Sequence, residues 1–137
     1  MEMSQAQIGC MFLDFNEKYF GGELPLPEIK IIKSFRYFGF FKANVYDDGI
    51  EDPVIEISGE YDYKPSQIRD ILVHEMIHYY LAYTGIEIGK GHGKEFKKMM
   101  RSFNKNYKMH ITETIDMSKY KRRKGSSWIK YKLASIF

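Results

Sequence analysis

The sequence is poor in cysteine and proline and has no long apolar run. Its 137 residues include one cysteine, Cys10, and four prolines. A single cysteine excludes an internal disulfide, and it excludes a structural zinc site built from several thiolates. Cys10 lies in a stretch with helical periodicity, so we expect it to be a small buried core residue rather than a reactive thiol.

The absence of long apolar runs also predicts where the chain lies. No stretch approaches the roughly 18 apolar residues of a membrane-spanning helix, so we expect no membrane partner. The N-terminus has no basic segment followed by an apolar run, so we expect no secretion signal and a reducing, cytoplasmic compartment. With 44% hydrophobic and 16% aromatic residues, the composition predicts one globular domain.

Charge is distributed unevenly along the chain. Residues 1–89 contain 7 Lys and Arg against 15 Asp and Glu, whereas residues 90–137 contain 14 against 3. A basic C-terminal third predicts an anionic partner, with nucleic acid as the first candidate. A solubilising basic face is the alternative interpretation.

Periodicity predicts an α+β domain with a small twisted sheet of about three strands packed on three helices. A first helix follows the capping-box pattern of Ser4 and Gln7 and stops at Gly21. Apolar runs at 28–34, 37–46 and 53–58 predict strands. Because Pro53 opens the third run, we expect an edge strand there, to which an extended peptide can add; a plain structural edge is the alternative.

Two further helices are predicted after the strands. The second covers residues 65–84, stops at Gly85, and is apolar nearly all round in its middle, which predicts a helix that crosses the core. A loop with three glycines leads to a third helix beginning near His92. Residues 128–137 can form another strand. The inward stripe of the third helix is predicted to be Phe96, Met99, Met100, Phe103 and Tyr107.

The middle of the second helix contains a metal-binding pattern, His74-Glu75-Met76-Ile77-His78. Two histidines four residues apart share one face of a helix, so both imidazoles can bind one tetrahedral cation. This is the spacing of zinc metallopeptidases, in which the intervening glutamate acts as the general base. As plain core residues, these three polar groups would be buried without evident partners, at a cost of about 1–3 kcal/mol each.

A catalytic zinc takes three protein ligands and leaves a fourth position open. His92 precedes Phe96 by four residues, which favours its projection onto the inward stripe of the third helix. His110 follows that helix in a polar stretch, where a surface or supporting role is expected. We therefore predict zinc on His74, His78 and His92.

Four parts of the chain resemble the SprT-like family: LVHEMIHYYL at 72–81, GHGKEF at 91–96, Phe103-Asn104, and FNEKYFGGELP at 15–25. The resemblance covers about residues 9–112. It implies a zincin-like domain with zinc on His74, His78 and His92, with Glu75 as the base, and it implies proteolysis near DNA. Many relatives have a cysteine zinc ribbon after the third helix, which one cysteine cannot form.

The predicted organisation is a catalytic domain at 1–112 and a basic extension at 113–137. We expect the basic residues of this extension to contact a nucleic acid, preferably single-stranded, while Tyr120 or Trp128 stacks on a base. A solvated basic loop with Trp128 packed on the domain is the alternative. The predicted phosphate contacts are Lys119, Lys121, Arg122, Arg123 and Lys124.

These patterns predict a zinc metallopeptidase that acts on a protein or peptide, including proteins associated with DNA. The alternative is a zinc-containing nucleic-acid-binding module with little or no catalysis. Glu75 beside an open metal position favours the enzyme, because a structural zinc normally has four protein ligands. The sequence does not choose a residue to stabilise the oxyanion; the candidates are Arg36, Tyr79, Tyr80 and Tyr107.

Overall fold

The computed structural model describes residues 3–115, 120–121 and 134–135. It confirms the α+β class, with three helices and a three-stranded mixed sheet. In chain order the elements are α1 Gln5–Tyr19, β1 Glu28–Ile32, β2 Gly39–Tyr46, β3 Gly49–Ser58, α2 Pro65–Thr84, α3 Lys94–Tyr107, β4 Thr114–Ile115 and β5 Ala134–Ser135.

Helix α1 begins at the predicted capping box. The backbone N–H of Gln7 donates to Ser4 Oγ at 3.1 Å, and the backbone N–H of Ser4 donates to Gln7 Oε1 at 2.8 Å. The prediction that Cys10 is buried is wrong, because this side chain is exposed. Ile8 and Phe12 form the buried face of the helix, and Cys10 lies about 200° around the helix from each of them.

The sheet has the order β1-β3-β2, with β1 parallel and β2 antiparallel to β3. Strand β3 is therefore central, and the predicted edge strand at 53–58 is wrong. Pro53 is tolerated because it lies at a β-bulge: the register shifts between the pairs Lys42–Val54 and Asn44–Glu51, and Asp52 has φ +53°. Pairing with β1 begins only at Val54. Among the described residues, β1 and β2 form the free edges of this sheet.

In both α1 and α3, an asparagine side chain makes two hydrogen bonds to the backbone of the loop that follows the helix. The side-chain amide of Asn16 donates to Leu24 O at 2.9 Å and accepts the backbone N–H of Leu24 at 3.2 Å. Asn104 makes the same pair of bonds to Ile111, at 2.9 and 2.8 Å. Each asparagine satisfies a backbone donor and acceptor that burial would otherwise leave unpaired.

Helix α2 runs through the core, as predicted. Ile71, Leu72, Val73, Met76 and Ile77 all have 0% exposure. The helix ends at Gly85, whose φ of 75° provides the left-handed C-cap. A helix buried on all sides holds its polar side chains in fixed positions inside the protein. No helix among residues 3–115 is long and apolar enough to cross a membrane.

Helix α3 begins at Lys94, two residues after His92, so the prediction that it begins near His92 placed its start slightly early. His92 lies in the preceding loop, where Gly89 and Gly91 have positive φ values of 71° and 57°. Phe96 and Phe103 face inward as predicted. Tyr107, the last residue of the helix, is 42% exposed, and its ring lies tilted against that of Tyr19 at 4.7 Å between centroids.

The segment after α3 is described in part. Strand β4 pairs antiparallel with β5, which lies inside the strand predicted at 128–137. The remaining residues of that predicted strand lie outside the described residues. The division into a domain at 1–112 and an extension at 113–137 stays a prediction.

Candidate metal centre

Three imidazoles meet at one point beside α2. The distance from His74 Nε2 is 3.1 Å to His92 Nε2 and 3.3 Å to His78 Nε2. One nitrogen of each ring lies within 4.8 Å of the others, so the group can hold a metal ion. A tetrahedral zinc with bonds of 2.0–2.1 Å would separate its ligands by about 3.3–3.4 Å. The two measured separations fit that geometry.

The fourth histidine does not join this group. His110 is exposed, and its backbone N–H donates to Asp70 Oδ2 at 3.1 Å. This agrees with the predicted surface position of His110. Its side chain is absent from the metal-binding group of the described residues.

Burial keeps His78 in the form that binds metal. His74 has 0% exposure. Burial, together with the charge of a protonated His92, lowers the pKa of His78 to about 3. His78 is therefore neutral over the physiological range, and the neutral imidazole is the form that can coordinate a cation.

The ring of one phenylalanine, Phe96, packs against all three histidine rings. The ring of Phe96 lies 4.7 Å from that of His74, 4.4 Å from that of His78 and 4.8 Å from that of His92, measured between centroids. Phe96 has 0% exposure. The sequence predicted it as a core residue, and the structure adds that it fixes the planes of the histidine rings.

Glu75 is buried beside this cluster. Its side chain has 0% exposure, and neither carboxylate oxygen has a hydrogen-bond partner among the described residues. Oε2 lies 4.0 Å from His74 Nε2. Burial raises the pKa of Glu75 well above its ordinary value. A cation on the histidines would favour the ionised carboxylate, so the orphaned glutamate also fits a metal at this site.

Gly39 gives Glu75 its space. A Cβ added to Gly39 would lie 2.9 Å from Glu75 Oε2 and 3.0 Å from its Cγ, so the first residue of β2 must be glycine or the glutamate must move. In the sequence, Gly39 is one residue of the apolar run at 37–46. Its contact with Glu75 joins two distant parts of the chain and has no signature in the local pattern.

The loop that carries His92 is fastened to α3 by Glu87. The carboxylate of Glu87 accepts the backbone N–H of Glu95 at 3.2 Å and that of Phe96 at 3.4 Å. These are N–H groups of the first helical turn, which a side chain at the N-cap normally satisfies. The N-cap residue is Gly93, which has no side chain, and a Cβ there would lie 2.5 Å from Glu87 Oε1. Glu87 therefore serves as the cap.

Glu113 lies on the outer side of His92. Its Oε1 is 3.8 Å from His92 Nδ1 and 4.0 Å from Lys97 Nζ. A carboxylate behind a metal-binding histidine orients the ring and raises its basicity. Sequence reasoning missed both Glu87 and Glu113. A helix start with glycine at the N-cap signals that another acceptor is needed, but it does not say which residue supplies it.

A cavity of about 520 Å³ opens beside the histidines. Phe40, Phe41 and Val45 of β2 line one wall, and Ile88 of the loop lines another; His78 and His92 are also at its surface. The cavity is mostly apolar and has a few polar groups, which is typical of a ligand-binding cleft. It places the free edge of β2 next to the metal-binding group.

The tyrosines considered for the oxyanion have packing roles. The Tyr79 hydroxyl donates to Pro25 O at 2.8 Å, and Tyr79 is 1% exposed. Tyr80 packs against Phe20 at 5.7 Å between centroids, and Tyr107 packs against Tyr19 at 4.7 Å. Arg36 is exposed. The described contacts do not select any of these four residues.

The predicted nucleic-acid contacts are described only in part. Lys121 is 79% exposed and lies 3.8 Å from Asp62. Tyr120 stacks on Phe38 at 4.4 Å between centroids, and burial raises its pKa to about 12. With Phe38 on its face, Tyr120 is a packing residue rather than the base-stacking residue that was considered. The other residues predicted to contact nucleic acid lie outside the described part of the chain: Lys119, Arg122, Arg123, Lys124 and Trp128.

Comparison with known proteins gives one family. The model of the SprT-like family matches residues 8–117. Two similar curated proteins are each named DNA-dependent metalloprotease SPRTN, one from Rattus norvegicus and one from Mus musculus. Each is 27% identical over 125 residues, an alignment that covers 84% of this chain and 24% of the relative. The chain thus spans about a quarter of the length of these relatives.

Proposed function

The chain belongs to the SprT-like family, and we propose from this that it is a zinc metallopeptidase whose metal is held by His74, His78 and His92. One observation carries the proposal. Three buried or half-buried imidazole nitrogens converge at 3.1 and 3.3 Å, with the carboxylate of Glu75 orphaned beside them. The curated relatives are metalloproteases by name, so the relationship at family level is to metalloproteases.

Zinc is the metal that these ligands favour. Neutral imidazoles suit zinc better than magnesium or calcium, which prefer oxygen ligands. Three histidines leave a fourth coordination position for water or substrate, which is typical of catalytic rather than structural sites. When bound, the zinc would polarise the scissile carbonyl and make water a better nucleophile at neutral pH.

Glu75 is proposed as the general base. Its carboxylate accepts a proton from the attacking water and then donates that proton to the leaving amine, so that the peptide bond breaks without a free hydroxide or amide ion. The carboxylate needs no reorganisation for this step, since α2 and Gly39 hold it in place. A cation bound by the histidines would favour the ionised form of this carboxylate, which is the form that accepts a proton.

We propose that an extended peptide binds along the free edge of β2. This edge replaces the one predicted at 53–58, because β3 is central in the sheet. Backbone groups of β2 can pair with a peptide, and Phe40 and Phe41 line the cavity that leads to His78 and His92. A peptide there would present its backbone rather than a particular side chain, which suits a broad range of substrates.

We further propose that the substrates include proteins bound to DNA. The relatives are named as DNA-dependent, and the C-terminal third of this chain is strongly basic. A cytoplasmic location also stays a prediction. The alternative, a zinc-containing nucleic-acid-binding module without catalysis, is less favoured because it gives the buried Glu75 carboxylate no role.

The experiment is proteolysis of a DNA-binding protein, with and without single-stranded DNA, by the zinc-loaded wild type and by Glu75→Gln. The glutamine keeps the shape but removes the base, so we expect zinc to remain and hydrolysis to fall by a factor of about 10² or more. His110→Ala is the matched control and should cleave normally. Equal cleavage by Glu75→Gln and wild type would contradict the proposal. Inactivity of the wild type on bound and unfolded proteins alike would favour the binding module.

A further inference from the structure

Helix α3 carries five basic side chains on one side. At 100° per residue they fall within about 100° of the helix circumference, and they extend over about 16 Å of its length. Phe96 and Phe103 lie on the opposite side and are buried. All five basic residues are exposed, and we call them the cationic face: Lys94, Lys97, Lys98, Arg101 and Lys105.

Little within the domain compensates these charges. Among the described residues, the contact of Lys97 with Glu113 at 4.0 Å is the one ion pair of the cationic face. Like charges three and four residues apart destabilise a helix. Lys94 and Lys97 also lie at the helix N-terminus, where the macrodipole disfavours cations. An anionic partner would relieve this repulsion.

Helix α1 shows that a solvated face in this domain does not need charges of one sign. Asp14 and Lys18 form an ion pair at 3.0 Å between positions i and i+4 on its exposed side. Glu17 lies between them in the sequence. The contrast indicates that the cationic face of α3 does more than keep the domain soluble.

We propose that the cationic face is where the domain docks onto the phosphate backbone of a nucleic acid. A straight row of cations matches a polymer with one negative charge per nucleotide. A membrane is a poorer fit, because a surface-binding helix inserts its apolar side and that side of α3 packs in the core. The inference rests on the proposed function, in which proteins bound to DNA are substrates.

The cationic face leads directly to the candidate metal centre. Its first residue, Lys94, lies two positions after His92, and Lys97 contacts the same Glu113 oxygen that lies 3.8 Å from His92. A nucleic acid along this face would therefore end beside the cavity. A protein attached to that nucleic acid would be delivered to the free edge of β2.

The test measures binding of a fluorescent oligo-dT strand of about 20 nucleotides, and of a matched duplex, by anisotropy at several salt concentrations. The variant replaces Lys98, Arg101 and Lys105 with Gln, which keeps helix propensity and leaves the histidine cluster untouched. We expect its affinity to fall about tenfold or more, and the slope of log K against log salt to decrease by about 2 on single strands. Zinc content and DNA-free cleavage of an unfolded protein should not change.

The matched control replaces Lys18, Lys30 and Lys33 with Gln, the same loss of charge at two exposed positions and at the half-buried Lys30. It should bind like the wild type. A charge-conserving variant, with Lys98→Arg, Arg101→Lys and Lys105→Arg, should bind like the wild type.

Wild-type affinity and salt slope in the first variant would overturn the proposal, as would an equal loss of affinity in the control. Equal binding of poly-glutamate would overturn the assignment to nucleic acid. Loss of cleavage in all proteins, with binding as expected, would instead contradict the proposed peptidase.

Discussion

His74 and His78 belong to the most buried helix of the domain, whereas His92 belongs to a glycine-rich loop between α2 and α3. The helix side of the cluster is held by the core: His74 has 0% exposure, and the apolar residues around it are completely buried. The loop side is held by a few polar contacts and by Phe96, which touches all three rings.

This difference separates two ways of fixing a ligand. On the helix side, the i, i+4 geometry of α2 places two imidazoles together whether or not a metal is present. On the loop side, the position of His92 depends on Glu87, which caps α3 from outside the helix, and on Glu113. On the helix side, we therefore expect changes in side-chain size to disturb the cluster most. On the loop side, we expect the loss of a polar contact to disturb it most.

The largest expected effect is loss of the metal. His74→Ala and His92→Ala should each lose stoichiometric zinc, because two imidazoles hold it far less tightly than three. The two variants should differ once the metal is removed by chelation. His74→Ala leaves a cavity in the core and should unfold at a lower temperature than the chelated wild type, whereas His92→Ala should unfold close to it.

Metal analysis by mass spectrometry and thermal unfolding of the chelated proteins provide the measurements. His110→Ala is the control and should retain one zinc per chain. If His92→Ala kept a full equivalent of zinc while His110→Ala lost it, the ligand assignment would be wrong. Equal stability of both chelated variants would remove the distinction between the two sides.

A substitution at Gly39 of β2 tests whether close packing against the sheet positions Glu75 of α2. Gly39→Ala places a methyl group 2.9 Å from Glu75 Oε2, so the carboxylate must move away from the histidines. Misplacing a catalytic group by about 1 Å costs about 10²-fold in turnover, so we expect turnover to fall by up to that factor, with zinc retained. The control is Gly9→Ala in α1, where an added Cβ meets no atom within 4 Å. It should stabilise the helix by about 0.5–1 kcal/mol and leave cleavage unchanged. Full activity of zinc-loaded Gly39→Ala would show that this contact does not position Glu75.

The two sides also differ in what the sequence could predict. The spacing of His74 and His78, the buried middle of α2, and the stop at Gly85 are local patterns with direct physical meaning, and the structure has them where they were predicted. The pairing of β3 with both neighbours was not predictable, because Pro53 suggested an edge and its place at a bulge depends on β2. Similarly, Gly39, Glu87 and Glu113 act through contacts between distant segments.

Glu87 tests the loop side. Glu87→Ala removes the cap of α3, so metal-free stability should fall by about 0.5–2 kcal/mol. Zinc affinity should fall about 10–100-fold, as is usual when a group supporting a metal ligand is removed. Competition with a zinc-binding dye measures the affinity. Glu23→Ala, at an exposed glutamate in the loop after α1, should leave both quantities unchanged.

A second substitution can rescue this loss. Gly93 has the extended N-cap conformation, with φ −76° and ψ −170°, which serine adopts readily. Once Glu87 is removed, Gly93→Ser has space and can cap the helix with its own hydroxyl. The double variant should recover most of the zinc affinity. Failure of this rescue, in a protein with restored helix stability, would mean that Glu87 acts other than as a cap.

The last prediction concerns the cost of burying Glu75 when no metal is bound. Burial raises the pKa of Glu75 well above its ordinary value, so above about pH 4.3 the unfolded chain releases a proton that the folded chain retains. Fewer protons on the unfolded state mean that the free energy of unfolding decreases as pH rises. In Glu75→Gln this decrease is absent. Between pH 5 and 7 the chelated variant should therefore gain stability over the chelated wild type by up to about 1.4 kcal/mol per pH unit.

Urea unfolding of both chelated proteins across this pH range measures the difference between them. His78, whose pKa is lowered to about 3, binds a proton more readily when unfolded, so it destabilises the folded state as pH falls below about 6.5. Because both proteins contain His78, its contribution cancels when one curve is subtracted from the other. A flat difference curve would show that the Glu75 carboxylate is not desolvated in the metal-free protein. A rising difference curve would show that the buried Glu75 carboxyl lowers the free energy of unfolding of the metal-free protein. The loop side has no such cost, because the carboxylates of Glu87 and Glu113 have polar partners.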